Sequence, residues 1–263
     1  MPGRNFCPCS SRIVEVSLLA LDNPLTPNDP KPHKYSYPPA HRVLEMSAIA
    51  GLPVLLWFMV DKACEGLDTG GLWMIVSVLG VIFIGYLASD FISGFVHFLG
   101  DTYGDENAKF FGPSFIRPFR VHHTDPQEIC RHDFVELNGN NCLVCIPVGV
   151  LSYWTIPAAH THWGALLLLA IASMLFWVFM TNQFHKWAHD DEPPRIITLL
   201  QRVGLVLSAE HHAIHHRAPY DRYYCITVGW MNPILLRIRF FEGFKRVVSW
   251  VTWAVSPRKS LSD

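Results

Sequence analysis

The stretch WGALLLLAIASMLFWVFMTNQFHKWAHD, residues 163–190, decides the class of fold. Residues 163–184 contain no Asp, Glu, Lys or Arg, and about 20 apolar residues suffice for a helix to cross a bilayer. His185 and His189 follow four positions apart, so both imidazoles project from one face of the emerging helix. The stretch therefore predicts a membrane helix that ends in a pair of metal ligands.

Three further apolar runs predict membrane helices over residues 43–60, 72–99 and 142–159. The composition agrees, because 50% of the residues are hydrophobic, 16% are charged and the mean hydropathy is +0.21. The third run contains Pro147 and Pro157, so a tilted, kinked or partly re-entrant helix is also compatible with it. We predict an all-α, polytopic membrane protein with about four transmembrane helices.

The basic residues indicate how these helices are oriented. Of the 21 Lys and Arg residues, only Lys62 lies in the predicted loop 61–71, whereas the others precede the first run, lie in 101–141 or follow Phe184. By the positive-inside rule, the N-terminus, the 101–141 loop and the C-terminal segment face the cytosol. We therefore expect an integral protein of a bacterial inner membrane or of the endoplasmic reticulum. The net charge of −1 gives no basic excess for binding nucleic acid.

The chain divides into a short arm and one membrane-embedded domain. Residues 1–42 carry several prolines among polar residues, which predicts an extended or disordered arm, and residues 43–263 form the domain. Two C-terminal segments, 195–208 and 239–251, are typical of helices that pack on the membrane face or lie in the interface, with ordinary core helices as an equal alternative. The seven cysteines have no disulfide-framework spacing, and we interpret them as free thiols.

The 14 histidines are the outlier of the composition, and most of them fall at one predicted membrane face, where we expect a cytosolic helical cap. Besides His185 and His189, the motifs supply His97 and, one turn later, Asp101; His122 and His123 in FRVHHTDP; His132 in RHDF; and His211, His212, His215 and His216 in EHHAIHH. On a helix, His212, His215 and His216 share one face, whereas His211 points elsewhere. The spacing predicts a site for two metal ions.

The size of this set bears on the identity of the metal. An all-nitrogen set larger than the four positions of tetrahedral zinc implies at least two ions, and imidazole suits zinc, copper, iron and nickel. A site at the ends of apolar helices has access to lipid chains, and breaking an unactivated C–H bond requires an iron–oxygen species. A zinc protease is disfavoured, because Lys186 stands where the zincin helix carries its general-base Glu. We therefore expect two iron ions.

Six words extend the histidine motifs: DFxSGxxHxxxDTxG, FIRPFRxHHxDP, RHDFxExNGxNC, TNQxHKWxH, HHxIHH and YCITxGWxN. From about Asp90 to Asn232 the chain thereby resembles the plasmanylethanolamine desaturase family, which includes the bacterial CarF proteins and consists of integral-membrane, histidine-box lipid desaturases. The resemblance implies oxidation of the 1-O-alkyl chain of an ethanolamine ether phospholipid to the vinyl ether of a plasmalogen. It also implies O2 as co-substrate and two electrons from a carrier such as cytochrome b5 or a ferredoxin.

The resemblance further implies which residues hold the irons: His97, His122, His123, His185, His189, His212, His215 and His216. Asp101, His132 and His211 are expected to be further ligands or partners of the ligands. Asp90 and Asn138 are expected to order the ligands or a metal-bound water, with a structural hydrogen bond inside the membrane equally open for Asp90. Four arginines are candidates for binding lipid phosphate or an acidic electron carrier, with solvated surface charges as the alternative: Arg117, Arg120, Arg217 and Arg222.

Some features depart from the family or leave alternatives open. The residues before Val43 contain no family word, and EHHAIHH carries Glu210 and Ala213 where more basic residues are typical. The same metal chemistry also supports desaturation of an ester-linked acyl chain or hydroxylation of a lipid, and the ligand spacing does not separate these reactions. A metal transporter or sensor is disfavoured, because its ionisable residues would be spread through the spans, whereas only Asp90 lies deep inside one.

Overall fold

The computed structural model describes residues 39–68, 70–105, 107–108 and 116–255, and all regular structure in these ranges is helical, as predicted. The long helices are α1 (Pro39–Gly66), α2 (Leu72–Thr102), α4 (Phe134–Thr155) and α5 (His162–His189). The shorter ones are α3 (Arg117–Thr124), α6 (Arg195–Arg202), α7 (Ala209–His212), α8 (Met231–Arg237) and α9 (Phe240–Val255), with a 3-10 turn at Glu128–Arg131. The predicted arm lies outside the described residues, except that α1 begins at Pro39, within the arm's last four positions.

The four long helices are the predicted membrane spans. Each is long and apolar enough to cross a bilayer, so the predicted number of spans is confirmed. The runs 43–60, 72–99 and 163–184 lie within α1, α2 and α5. Each of these helices extends beyond its apolar run into flanking residues, since hydropathy marks the membrane-embedded part of a helix and not its ends.

The third span has different bounds from the predicted run 142–159. α4 begins at Phe134 because Asp133 caps it: the Asp133 carboxylate accepts hydrogen bonds from the backbone N–H groups of Val135 (2.9 Å) and Glu136 (3.0 Å). The Glu136 side chain accepts in turn from the Asp133 N–H, which completes a capping box. The helix ends at Thr155, before Pro157. Residues 134–141, which include Asn138 and were expected in the cytosolic loop 101–141, therefore form the first two turns of the span.

The spans pack in two close pairs, α2 along α5 and α1 against α4. Glycine permits the first pairing, since a Cβ on Gly85 of α2 would lie 2.5 Å from the carbonyl oxygen of Ala170 in α5. The paired helices end side by side, because the ring centres of His97 in α2 and His185 in α5 are 5.7 Å apart. The packing thus places the histidines of two spans at one end of the bundle.

Lys62, the lone basic residue of the predicted loop 61–71, has a structural role at the opposite end. It lies in α1, and its ammonium donates to the carbonyl oxygens of Tyr153 and Ile156, the latter at 2.9 Å. These carbonyls belong to the C-terminal end of α4, where a cation is favoured by the helix dipole. The contact therefore joins the first and third spans.

Asp90, in the middle of α2, fixes the loop of residues 224–231. Its fully buried carboxylate accepts four backbone hydrogen bonds: from Thr227 (3.2 Å), Val228 (2.9 Å) and Gly229 (2.9 Å) on Oδ1, and from Met231 (2.9 Å) on Oδ2. Four N–H donors compensate a buried negative charge. Of the two roles expected for Asp90, the structure therefore favours the structural hydrogen bond.

The predicted C-terminal segments 195–208 and 239–251 correspond to α6 and α9, and each of these helices has one buried face and one exposed face. In α6, Ile197 is buried in a cluster with Phe184, whereas Ile196 and Leu199 are exposed. In α9, Phe241 is buried and Trp250 is exposed. One face therefore packs on the bundle and the other presents apolar side chains outward, as in helices that lie on a membrane surface.

Candidate metal centre

Eight histidines meet where α2, α3, α5 and α7 converge, and they form two groups whose ligand nitrogens lie within 4.8 Å of one another. The first group consists of His122, His185, His189, His212 and His216, and the second of His97, His122, His123 and His215. The structure thus brings together all eight residues that the resemblance implies as iron ligands. His122 belongs to both groups.

The first group has the spacing expected of ligands on one ion. The Nε2 atoms of His185 and His212 are 2.9 Å apart, those of His185 and His189 are 3.2 Å apart, and those of His189 and His212 are 3.0 Å apart. At a metal–nitrogen distance of about 2.1 Å, ligands at right angles are about 3.0 Å apart and ligands at tetrahedral angles about 3.4 Å apart. These values are close to the three observed distances, so the three imidazoles can bind one ion together.

The second group includes a carboxylate, because Asp101 lies among its imidazoles. Asp101 Oδ2 is 3.4 Å from Nε2 of His97, 3.5 Å from that of His123 and 3.4 Å from that of His215. Both Asp101 oxygens are buried and have no hydrogen-bond partner among the described residues. A buried carboxylate is costly unless a cation or donors compensate it, so this arrangement fits a bound metal ion.

Backbone carbonyls orient two of the imidazoles. His97 Nδ1 donates to the Tyr224 carbonyl oxygen at 3.1 Å, and His215 Nδ1 donates to that of Arg222 at 2.8 Å. With the proton on Nδ1, each ring presents the lone pair of Nε2 to the centre, as metal-binding histidines commonly do. Within the described part of the chain, the buried Nε2 of His97 has no hydrogen-bond partner, which again fits a metal ligand.

Four of the clustered imidazoles that lie outside the spans have a lowered pKa. Burial, followed by the neighbouring imidazoles, lowers the pKa of His122 and His212 well below the usual value. The same causes lower the pKa of His123 to about 4 and that of His216 to about 3. Because a metal binds the deprotonated ring nitrogen, these side chains are in the ligating form at neutral pH.

His132 and His211, which were expected near the metals, lie outside both groups. His132 is placed between Glu128 (Nε2 to Oε1, 3.5 Å) and Glu136 (Nδ1 to Oε2, 3.3 Å), and the hydrogen bond to Glu128 is the main reason that its pKa is raised. His211 Nε2 accepts a hydrogen bond from Asn232 Nδ2 at 3.1 Å. Both histidines therefore contribute to the surrounding framework.

Asn138 also lies in the framework, at the contact between α4 and α5. Its Nδ2 donates to the Phe134 carbonyl oxygen (3.0 Å) and to Oε1 of Gln183 (3.5 Å), two residues before His185. Two neighbouring amides join the same helices, since Asn141 Nδ2 donates to the Val178 carbonyl oxygen at 3.0 Å and Asn182 Nδ2 to that of Leu137 at 2.8 Å. These bonds fix the helix that carries His185 and His189.

The four candidate arginines occupy different surroundings. Arg117, Arg217 and Arg222 are exposed, and Arg222 Nε donates to Oδ1 of Asp221 at 3.0 Å. Arg120 is half-buried, and its Nη2 donates to the carbonyl oxygens of Tyr103 (3.3 Å) and Gly104 (3.0 Å). Arg120 is thus the one of the four that the fold holds beside the histidines.

Sequence reasoning missed several residues around the centre. The carbonyls of Tyr224 and Arg222 orient ligands, but backbone groups leave no mark on residue identity. The ring of Tyr220 stacks on that of His123, with centres 4.6 Å apart, and Lys245 of α9 lies near the second group, with its Nζ 5.4 Å from the centre of the Phe98 ring. Lys245 belongs to the segment 239–251, whose apolar pattern indicated a helix at the membrane face or an ordinary core helix, but no role for a basic side chain in the site.

Comparison with known proteins adds an independent line of evidence. A model of the lipid desaturase domain matches residues 86–260. A plasmanylethanolamine desaturase of Myxococcus xanthus is 45% identical over 82% of this chain and 75% of its own length, and plasmanylethanolamine desaturase 1 of Mus musculus is 40% identical over 66% of each. Chloroplastic fatty acid desaturase 4 of Arabidopsis thaliana is 32% identical over 63% of this chain and 50% of its own length. No solved structure matches.

Proposed function

The chain belongs to the lipid desaturase domain family, and from this premise we propose that it forms the vinyl ether double bond of plasmalogens. Membership confirms the resemblance read from the histidine motifs and makes the chain an integral-membrane oxidoreductase of lipids. The proposed substrate is a 1-O-alkyl ethanolamine phospholipid, with O2 as co-substrate. The support for an ether substrate is that the relatives at 45% and 40% identity are named plasmanylethanolamine desaturases.

We propose that two iron ions occupy the candidate metal centre. His122, His185, His189, His212 and His216 would hold one, and His97, His123, His215 and Asp101 the other, with His122 able to serve either. The irons, when bound, would activate O2, which would take up the two hydrogens removed from the alkyl chain, two electrons from the carrier and two protons to form two molecules of water. The observation that carries this proposal is the buried Asp101 carboxylate, which faces three imidazole nitrogens at 3.4–3.5 Å.

The protein's part in the reaction is to hold the ligands in place and to exclude water. His97 and His215 are completely buried, and His212 is nearly so. Hydrogen bonds to the Tyr224 and Arg222 carbonyls fix the ring orientations before any substrate arrives. Buried ligands with fixed orientations limit the access of water to the reacting atoms.

The electron donor and the membrane face form the outer part of the proposal. We assign the histidine end of the bundle to the cytosolic side, on the strength of the basic residues in 101–141 and after Phe184. Exposed Arg117 and Arg217 lie on the segments that carry the histidines and suit docking of an acidic carrier such as cytochrome b5 or a ferredoxin. The membrane would be a bacterial inner membrane or the endoplasmic reticulum.

An acyl desaturase is the second candidate, because the Arabidopsis thaliana relatives at 27–32% identity are named fatty acid desaturases. The metal centre would be the same, and the substrate would be an ester-linked chain of a phospholipid. A lipid hydroxylase with this centre would instead add oxygen. The products distinguish the three reactions.

The test is to express the chain in plasmalogen-free cells that contain alkyl ether lipids and to analyse their phospholipids by mass spectrometry. We expect ether lipids that have lost two hydrogens and are cleaved by acid. His185→Ala and His212→Ala should abolish this product while the protein still inserts, and His162→Ala, at the other end of α5, should retain it. A new acyl double bond, an added oxygen, or full turnover by the His185 and His212 variants would contradict the proposal.

A further inference from the structure

A cavity of about 370 Å³ opens beside the second histidine group. Its lining includes Asp101, Thr102, Arg120, His123, Tyr220 and Lys245. The volume lies within the range of about 300–1,000 Å³ that small-molecule sites occupy. Because Asp101 and His123 belong to the candidate metal centre, whatever fills this cavity touches the ligands directly.

Two cations from separate elements line the cavity. Arg120 lies one turn before His123 on α3, and its hydrogen bonds to the carbonyls of Tyr103 and Gly104 fix where the guanidinium sits. Lys245 comes from α9, more than 100 residues later, and its ammonium lies 5.4 Å from the centre of the Phe98 ring, a cation–π contact. The fold therefore brings two cations into one cavity beside the candidate metal centre. Two carboxylates also line this cavity, those of Asp221 and of Asp101, and Asp101 faces the histidines of the second group.

The chemistry of the proposed substrate places a phosphate at this distance from the reacting carbons. The vinyl ether forms between the first two carbons of the alkyl chain, which adjoin the ether oxygen on glycerol. At bond lengths of about 1.5 Å, the phosphorus of the same lipid lies within roughly 8 Å of those carbons. A lipid whose first chain carbons reach the metals must therefore fit its phosphodiester immediately beside them.

We propose that this cavity binds the phosphodiester of the ether phospholipid through Arg120 and Lys245, and that this contact positions the first two chain carbons at the metal centre. The proposal rests on the proposed function, since only a bond next to glycerol brings the headgroup so near. Arginine and lysine both bind phosphate oxygens, the first through a planar set of donors and the second as a compact charge, so the pair suits one phosphodiester. Lipids without phosphate would lack this contact.

The first experiment measures binding without turnover, on purified, full-length, metal-loaded protein in detergent, in the absence of O2 and of an electron donor. The protein is titrated with a short-chain 1-O-alkyl phosphoethanolamine lipid, with a 1-O-alkyl-2-acylglycerol that lacks the phosphate, and with inorganic phosphate, while thermal stabilisation is recorded. We expect the phospholipid to bind at least about ten-fold more tightly than the phosphate-free lipid, as for one charge-assisted hydrogen bond. Lys245→Gln should remove most of this preference.

Matched variants distinguish binding by the cavity residues from a general effect of removing positive charge. Arg246→Gln removes an exposed charge from the next position of α9 and should leave the preference unchanged. Arg120→Lys, which retains the charge, should lose less of the preference than Arg120→Gln. Equal binding of the two lipids by the unaltered protein, or an unchanged preference in both Lys245→Gln and Arg120→Gln, would overturn the proposal. Saturation by inorganic phosphate at the same concentrations would also overturn it, because the cavity would then take free phosphate.

A turnover measurement distinguishes failure of this proposal from failure of the proposed function. In a reconstituted assay with ether phospholipid, Lys245→Gln should raise KM about ten-fold or more and also lower kcat, since the proposed contact both binds the headgroup and positions the reacting carbons. An unchanged KM with normal vinyl ether formation would reject the cavity and leave the proposed function intact. Absence of vinyl ether from the unaltered protein would reject the proposed function, and with it the positioning role of the cavity.

Discussion

Asp90 and Asp101 are two carboxylates on one helix, both in buried surroundings, and their partners are of opposite kinds. Asp90 accepts four backbone hydrogen bonds from residues 227–231. Asp101 faces three imidazole nitrogens and has no hydrogen-bond partner among the described residues. The carboxylate that is satisfied by the protein itself holds the fold together. The one that faces three imidazole nitrogens without a hydrogen bond fits a bound cation.

The same contrast separates the histidines. His97 and His215 turn Nε2 into the centre, whereas His132 interacts with two glutamates and has a raised pKa. Burial and clustering lower the pKa of His123 and His216, but burial also lowers the pKa of His211, which lies in the framework and accepts from Asn232. Residue type alone does not distinguish the two roles, but the partners do.

The largest effect that we predict is on folding, from Asp90→Ala. Four buried N–H groups would lose their acceptor at a cost of about 1–3 kcal/mol each, which approaches the total stability of many domains. We expect little folded protein, measured as the monodisperse fraction after detergent extraction. Asp90→Asn should be milder, because one oxygen remains to accept from Thr227, Val228 and Gly229. A normal yield of folded Asp90→Ala protein would contradict the structural role that we assign to Asp90.

Asp101→Asn should give the reverse result: we expect a normal yield of folded protein and a loss of bound metal and of activity. The substitution preserves shape but removes the charge that compensates a metal ion, so we expect the iron content to fall from about two to about one per chain. Activity should fall by about 100-fold or more, as for loss of a group that binds or orients a metal. Elemental analysis and the lipid assay measure both quantities. Unchanged iron content with a reduced folded yield would assign Asp101 to the framework instead.

The smallest predicted effect concerns His132 and depends on pH. Because Glu128 and Glu136 raise its pKa in the folded protein, His132 contributes stability that is fully present below the unfolded pKa of about 6.5 and is lost as pH rises through the folded pKa. His132→Gln should therefore lower the unfolding temperature more at pH 6 than at pH 9. The difference should correspond to less than about 1 kcal/mol, since the group is partly solvated. A deficit that grows with pH would contradict this assignment.

The sequence carries most of the information on spans and ligands, because both depend on local patterns. Apolar length predicts the four helices, and the His185–His189 spacing predicts two ligands on one face. The start of α4 was placed eight residues too late, since hydropathy weighs the polar residues 134–141 and ignores the capping box at Asp133. Local capping chemistry can extend a span beyond its apolar run.

What the sequence could not supply are the contacts between distant segments. Nothing near Asp90 indicates that its four donors come from residues 227–231, 137 or more positions away. The carbonyls that orient His97 and His215 are invisible in any motif, because every residue has one. Lys245 joins the cavity only because α9 folds back over Phe98. These features depend on tertiary packing rather than on local propensity.

The lengths of α2 and α5 set the depth at which His97 and His185 lie relative to the membrane. At about 1.5 Å per residue, His97 lies about 38 Å from the start of α2 and His185 about 35 Å from the start of α5, whereas the hydrocarbon core is about 30 Å thick. In upright helices that start at one edge of the core, both histidines stand just past the other edge, at the depth of the glycerol backbones. A chain carbon beside glycerol meets them at its resting height, but a carbon halfway down the chain must be lifted out of the bilayer. In the proposed reaction, depth in the membrane would thus favour the bond beside glycerol over bonds further down the chain.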